Sequence, residues 1–358
     1  MHELSFDEIE ELNLGATLLG TGGGGDPFIA RLMAEQAVQD YGPIPIVRAQ
    51  DLPQDGLVVT VAVIGAPTVI VEKVPAGTEF VGAVRSLASF LGKEIVAIMP
   101  VEVGGMNTMM PFAVAAELGL PIVDADGMRR AFPQIEMTVF TLQGIAASPM
   151  SLADEKGNFV VFDTTTNQVS ERLARGNVIM LGMANAFSSY PMTAAQVTES
   201  AIHGSLTYAL ELGRRLKAIQ GGVDGAYDDL LAFTGGQKLF SGKIIDLDRR
   251  TTDGFARGTV TIEHFDDPSR TLRIEIQNEL LIALEDGRPV VTPPDLICMI
   301  DHETAQPITT EVLGYGQRVD VLALPCAPEW HQEGFLDVVG PRAFGYDIDY
   351  VAIGGETK

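Results

Sequence analysis

Between residues 56 and 126 the hydrophobic pattern switches repeatedly between an extended and a helical period, and this constrains the fold more than any other feature. The apolar run LVVTVAVIG predicts a strand that ends in a Gly65-Ala66-Pro67 turn. Residues 78–90 predict a helix, EIVAIMP a second strand, and VEVGG a further extended piece ending in a Gly-Gly turn. A helix over 110–118, closed by Gly119, leads to Leu120, Ile122 and Val123, which read as the next strand. Strands that alternate with helices specify a parallel or mixed α/β sheet. Three loops then collect at comparable strand ends: Gly65-Ala66-Pro67, Glu102 to Asn107, and Asp124 to Arg130. That rim is where open α/β sheets place their ligands.

The loop in PIVDADGMRRAFPQIEM crowds ionisable groups at a strand end. Asp124 and Asp126 lie two apart, so an extended backbone points both carboxylates to one face, and Gly127 lets the chain turn behind them. Both are candidates for a general base or a metal ligand. Arg129 and Arg130 add fixed positive charge suited to a substrate carboxylate. Glu102 and Asn107 flank a turn in which Gly104 and Gly105 permit close approach of backbone to ligand.

Near the N-terminus, Ser5 and Glu8 form a capping box ahead of a first helix. The run LLGTGGGGDP follows. Gly20, Gly22 and Gly25 satisfy G-x-G-x-x-G, but a dinucleotide site needs a strand before the glycines and the capping box predicts a helix there. The reading preferred is a ligand-facing loop, Gly22, Gly23, Gly24 and Gly25, with Asp26 capping a helix that begins at Pro27. This loop and the Asp124 to Arg130 turn are expected to line one cavity.

Residues 157–176 read as a short hairpin. A long helix is then expected from the Thr193 and Gln196 capping pair to about Ile219, with Glu199 and His203 on one face. From Gly235 onward, alternating apolar residues punctuated by Asp-Gly and Asp-Pro predict an antiparallel, β-rich part. The sequence therefore reads as an α/β domain over 1–170 and a long helix plus β-rich domain over 171–358.

Asp and Glu number 48 against 24 Lys and Arg, a net charge of −24. Such a field repels nucleic acid and anionic membranes, and no apolar run reaches the length of a membrane span. The acidic start MHELSFDEIEELN lacks the pattern of a signal peptide, so a cytoplasmic protein is expected. Cys298 and Cys326 have no CxxC spacing and read as buried thiols, with a nucleophilic role for Cys326 as the minor option. No compact metal motif occurs. His203 and His302 are the best-placed histidines, and a divalent metal such as zinc would need the fold to bring them to Asp124 or Asp126.

With GTGGGGDP, PVEVGGMNTMMP, DADGMRRAFPQIEM and GPRAFGYDIDY in order, the whole chain resembles the S-methyl-thiohydantoin desulfurase family, formerly a hydantoinase-associated domain of unknown function. The resemblance implies a two-domain protein, α/β in front and β-rich behind, in the breakdown of thiohydantoin or hydantoin rings. The implied chemistry is hydrolytic: water replaces a thio substituent on a five-membered ring. Such a site wants a base or metal, a donor for developing charge, and positive groups for a substrate carboxylate. The alternative expectation is a non-catalytic partner subunit of a hydantoinase or oxoprolinase, and a homo-oligomer is a further expectation.

Overall fold

The computed structural model describes residues 2–25, 27–65, 69, 75–252 and 255–354. In chain order the first sheet takes β1 (His2–Leu4), β2 (Ile44–Val47), β3 (Leu57–Gly65), β4 (Ile95–Pro100) and β5 (Ile122–Val123). The short β6 (Ala125–Asp126) leaves the sheet, and β7 (Met150–Ala153), β8 (Phe159–Phe162) and β9 (Ala184–Thr193) return to it. The spatial order is β1-β2-β5-β4-β3-β9-β7-β8. Strands β2, β5, β4 and β3 are parallel, and the remaining pairings are antiparallel. The α/β alternation thus yields a mixed sheet. The interior of β3 is buried on both faces, which is why its run is apolar without alternation.

Two departures from the predicted elements have local causes. Residues 157–176 contribute one strand, β8, after which Asn167–Met180 is a helix. Thr166 caps it by accepting from the Val169 amide, and the buried positions Ser170, Ala174 and Val178 repeat every four residues. The second departure is a break in the long helix. Ala194–Ser200 carries the Thr193 and Gln196 capping box, then β10 (Ile202–His203) pairs with β6, and Gly204 turns at φ 72 into the helix Ser205–Gln220. Once β6 has left the first sheet its backbone groups need partners, and β10 supplies them. Glu199 and His203 consequently sit on different elements and share no helix face.

The helix Ser205–Gln220 lies at backbone contact with the first helix, Ile9–Leu19. A Cβ at Gly15 would stand 1.8 Å from the Ala209 carbonyl oxygen, and one at Gly213 1.6 Å from that of Glu11. This crossing fixes where the first helix delivers the glycine loop.

The second sheet is antiparallel throughout. Its strands are β11 (Gln237–Thr252), β12 (Phe255–His264), β13 (Thr271–Gln277), β14 (Glu279–Glu285), β15 (Arg288–Val291), β16 (Leu296–Asp301) and β17 (Arg318–Leu324). They run β15-β14-β13-β12-β11-β17-β16 and curl until β14 touches β16. Inside the curl, Phe240, Ile262, Ile274 and Val319 form one apolar cluster. Leu281, Ile282, Leu296 and Leu322 instead join the larger core of the α/β part, so the two parts share an apolar seam. Strand β9, which lies beyond residue 171, sits between β3 and β7 of the first sheet.

Candidate functional site

The ends of β3 and β4 open onto a cleft whose far wall is the start of β14. Its cavity volume is about 70 Å³, and it opens to solvent. Two carboxyl groups face it. Glu102 follows β4, and Glu279 opens β14; both side chains are buried.

Glu102 is fixed by a relay from the sheet. The Asn107 amide nitrogen donates to Glu102 Oε1 at 2.6 Å, while Asn107 Oδ1 accepts from the Val63 amide at 2.8 Å. The Phe132 amide donates to Glu102 Oε2 at 3.3 Å. Burial nevertheless pushes this carboxyl up to about 7, aided by the charge of Asp126 and opposed by the two hydrogen bonds and by Arg130. Glu279 is held well above the usual carboxylate range, first by burial and then by the charge of Glu102, with Arg130 pulling the other way. Its Oε2 has no hydrogen-bond partner among the described residues. Two acids whose hold on a proton is strengthened by burial therefore share a cleft.

The glycine loop seats itself against this pair. Leu280 N donates to Thr21 O at 2.7 Å and Thr310 N to Gly22 O at 2.8 Å, which ties the loop to the second sheet. A Cβ at Gly23 would stand 2.2 Å from Glu279 Oε1, so the acid occupies the space that any other residue would need. Gly24, at φ 77, packs on Gly104, where a Cβ would meet the carbonyl oxygen at 2.4 Å. Gly24 and Gly25 line the cleft, and their amides donate to no acceptor among the described residues. These are the donors that a ring heteroatom gathering charge would use. Asp26 lies outside the described residues. A helix, not a strand, precedes the glycines, which removes the dinucleotide reading.

The stretch 121–137 reaches the cleft through residues other than its charged ones. Met128 and Phe132 line it; Asp124, Asp126, Arg129 and Arg130 do not. Asp124 caps the helix Ser205–Gln220, accepting from the amides of Leu206 at 2.9 Å and Thr207 at 3.2 Å and from the Thr207 hydroxyl at 2.6 Å. Asp126 accepts from Val103 N at 2.7 Å, Arg129 N at 2.6 Å and Ser205 Oγ at 2.7 Å. Burial pushes it up to about 6 against those three bonds. Arg129 donates to His203 O at 2.5 Å and lies over the Tyr208 ring. The fully buried Arg130 donates to the carbonyls of Pro294 at 2.6 Å and Asp295 at 2.9 Å and stacks on Phe132. The two aspartates, expected to be catalytic, and the two arginines, expected to clamp a carboxylate, are thus engaged in hydrogen bonds outside this cleft.

The histidines do not converge. His203 is exposed and bonds the Thr198 carbonyl at 3.0 Å, whereas His302 pairs with Asp320 at 3.0 Å on the second sheet. Among the described residues no group of three or more His, Cys, Asp or Glu side chains is arranged to hold a metal ion. Cys298 and Cys326 are buried, and burial raises both thiols, Cys298 to about 12.

Two residues of the cleft escape the sequence reading. Glu279 was hidden in IQNELLIALED, though a glutamate at the head of an apolar strand is a signal in itself. Arg175 was hidden by the missed helix; it pairs with Glu171 at 2.7 Å, bonds Pro133 O at 3.2 Å, and lies over the Phe255 ring.

Comparison with known proteins bears on what this geometry serves. The family model described as "S-Me-THD-like, N-terminal domain" matches residues 7–164, and "S-Me-THD-like, C-terminal domain" matches residues 165–353. A crystal structure of a protein from Chromobacterium violaceum is 27% identical, aligning over 98% of this chain and 99% of its own with a TM-score of 0.82. No curated protein matches the chain.

Proposed function

Because the chain belongs to the S-Me-THD-like family, we propose that it is a hydrolase that replaces a thio substituent on a five-membered (thio)hydantoin-type ring with oxygen from water. The observation that carries this reading is the pair of carboxyl groups, Glu102 and Glu279, facing one cleft beside the unpaired amides of Gly24 and Gly25. Hydrolysis at an amidine-like carbon needs a base for water and an acid for the ring nitrogen.

For an S-methylated ring the steps balance without a further reactant. Ionised Glu102 takes one proton from water as its oxygen bonds to the carbon bearing the methylthio group. Glu279 gives its proton to the ring nitrogen doubly bonded to that carbon, and a tetrahedral adduct forms. The carbon–sulfur bond then breaks. The adduct's hydroxyl proton passes to Glu279 as the carbonyl forms, and methanethiolate takes the proton held by Glu102. The products are the hydantoin and methanethiol, and both acids return to their starting states. Asn107 holds Glu102 in place throughout, and the Gly24 and Gly25 amides face the heteroatoms that gain charge.

The test uses the purified full chain alone with a panel of S-methyl-thiohydantoins, thiohydantoins and hydantoins. Release of methanethiol or sulfide with formation of the oxo ring is the expected result. No turnover of any ring by the chain alone, with turnover appearing only when a hydantoinase-type subunit is added, would overturn it.

A further inference from the structure

Strand β8 forms the far edge of the first sheet. It has β7 on one side and no strand on the other among the described residues. Its sequence is Phe-Val-Val-Phe, with no charge and no proline to blunt the edge. Phe159 is 50% exposed, and Phe90 beside it on the helix Thr78–Leu91 is 57% exposed. These two rings, with Val161, line a groove between strand and helix. The Phe159 ring is seated firmly, since a Cβ at Gly82 would stand 2.6 Å from it. The exposed Arg85 and Glu117 lie in the same groove, and neither has an ionic partner among the described residues.

We propose that a second copy of this chain docks here, β8 against β8, so that the two first sheets become one continuous antiparallel sheet about a two-fold axis. A groove that holds one unpaired cation and one unpaired anion suits its own rotated image, because the axis brings each charge toward its opposite. The strand edge supplies the directional part of the contact through its backbone groups. Geometry then selects the register. An axis normal to the sheet keeps each face on its own side, so opposed residues must both be odd or both be even in number. An axis through Val161 would set Phe159 against the partner's Asp163, an aromatic ring against a carboxylate. An axis through Val160 sets Phe159 against the partner's Val161 and Val160 against the partner's Val160. The second arrangement places aromatic and β-branched side chains across from each other, a favourable cross-strand pairing.

The experiment follows the mass of the full chain in solution over a concentration series, by light scattering or sedimentation, for the wild type, Val160→Asp and Val160→Cys. The wild type should reach twice the chain mass. Val160→Asp, which sets two carboxylates face to face at the axis, should weaken the dimer about tenfold or more while circular dichroism stays unchanged. Val160→Cys should form a disulfide-linked dimer on mild oxidation, because the native thiols Cys298 and Cys326 are buried. A wild type that stays monomeric throughout the series, or a Val160→Asp dimer of unchanged strength, overturns the interface. Should Val160→Asp fail to fold, the cysteine variant decides: absence of a cross-link overturns the register and the interface with it.

Discussion

Asp124 and Asp126 on one side, Glu102 and Glu279 on the other, are two pairs of acids belonging to one molecule and held in different surroundings. Asp126 is as deeply buried as the glutamates, yet three donors converge on it and it does not line the cleft that they face. Glu279 keeps an oxygen with no partner, and Glu102 faces open space. Burial alone therefore does not mark a reactive acid. What separates the glutamates is that they line the cleft, with Glu279 Oε2 accepting from no donor among the described residues, whereas each Asp126 oxygen already accepts at least one bond.

The comparison breaks most decisively at Glu102. Glu102→Gln should lower kcat by roughly 10²- to 10⁴-fold, the usual contribution of a general base, with the fold intact by circular dichroism; equal turnover in the variant would remove this residue from the chemistry. At the other pair the expected loss is of stability. Asp126→Ala strands Val103 N, Arg129 N and Ser205 Oγ, and should cost about 3 kcal/mol in a denaturant titration, while the protein that remains folded keeps its turnover. Asp124→Ala removes only a helix cap, for about 1 kcal/mol.

Gly23→Ala sharpens the contrast from the loop side. The added methyl group needs the space of Glu279 Oε1, so turnover should fall about tenfold, the effect of a modest displacement of a catalytic group, with the fold intact by circular dichroism. A loss confined to thermal stability would instead make the loop a structural joint.

The pH dependence of stability tests the raised Glu102 value itself. The folded protein holds the Glu102 proton up to about pH 7, whereas the ordinary value is 4.5. Between those values the folded state binds more protons than the unfolded one, so this group's contribution is full below about 4.5 and is lost as pH rises through about 7. Thermal midpoints of wild type and Glu102→Gln, recorded from pH 4 to 8, should therefore diverge as pH rises, with the wild type falling more. Parallel curves would contradict the raised value.

The sequence carried the α/β alternation because each strand and helix there signals its own period, and it carried the β-rich second part for the same reason. The cleft was legible in part. Glu102, Asn107 and the glycine loop stood out because paired glycines next to polar residues mark close backbone approach. The hydrogen bonds of Asp124 and Asp126 were not legible, because a carboxylate's partners are long-range. Thr207 and Ser205 lie about eighty residues away, and nothing local in DADG announces them. Glu279 was missed for the same reason, since its role depends on Gly23 and Glu102 meeting it across the seam. The helix break at 201–204 likewise answers to β6, a distant strand in need of a partner.

The position of β9 has a consequence for how the chain is made. A ribosome releases β3 and β7 well before Ala184–Thr193, the strand that must lie between them. Until it emerges the nascent sheet is two separate pieces, with the flanks of β3 and β7 unpaired. The first half therefore cannot complete its fold ahead of the second, as an independent N-terminal domain would during synthesis. Cutting the gene near residue 164 should yield fragments that recover a native sheet only when produced together.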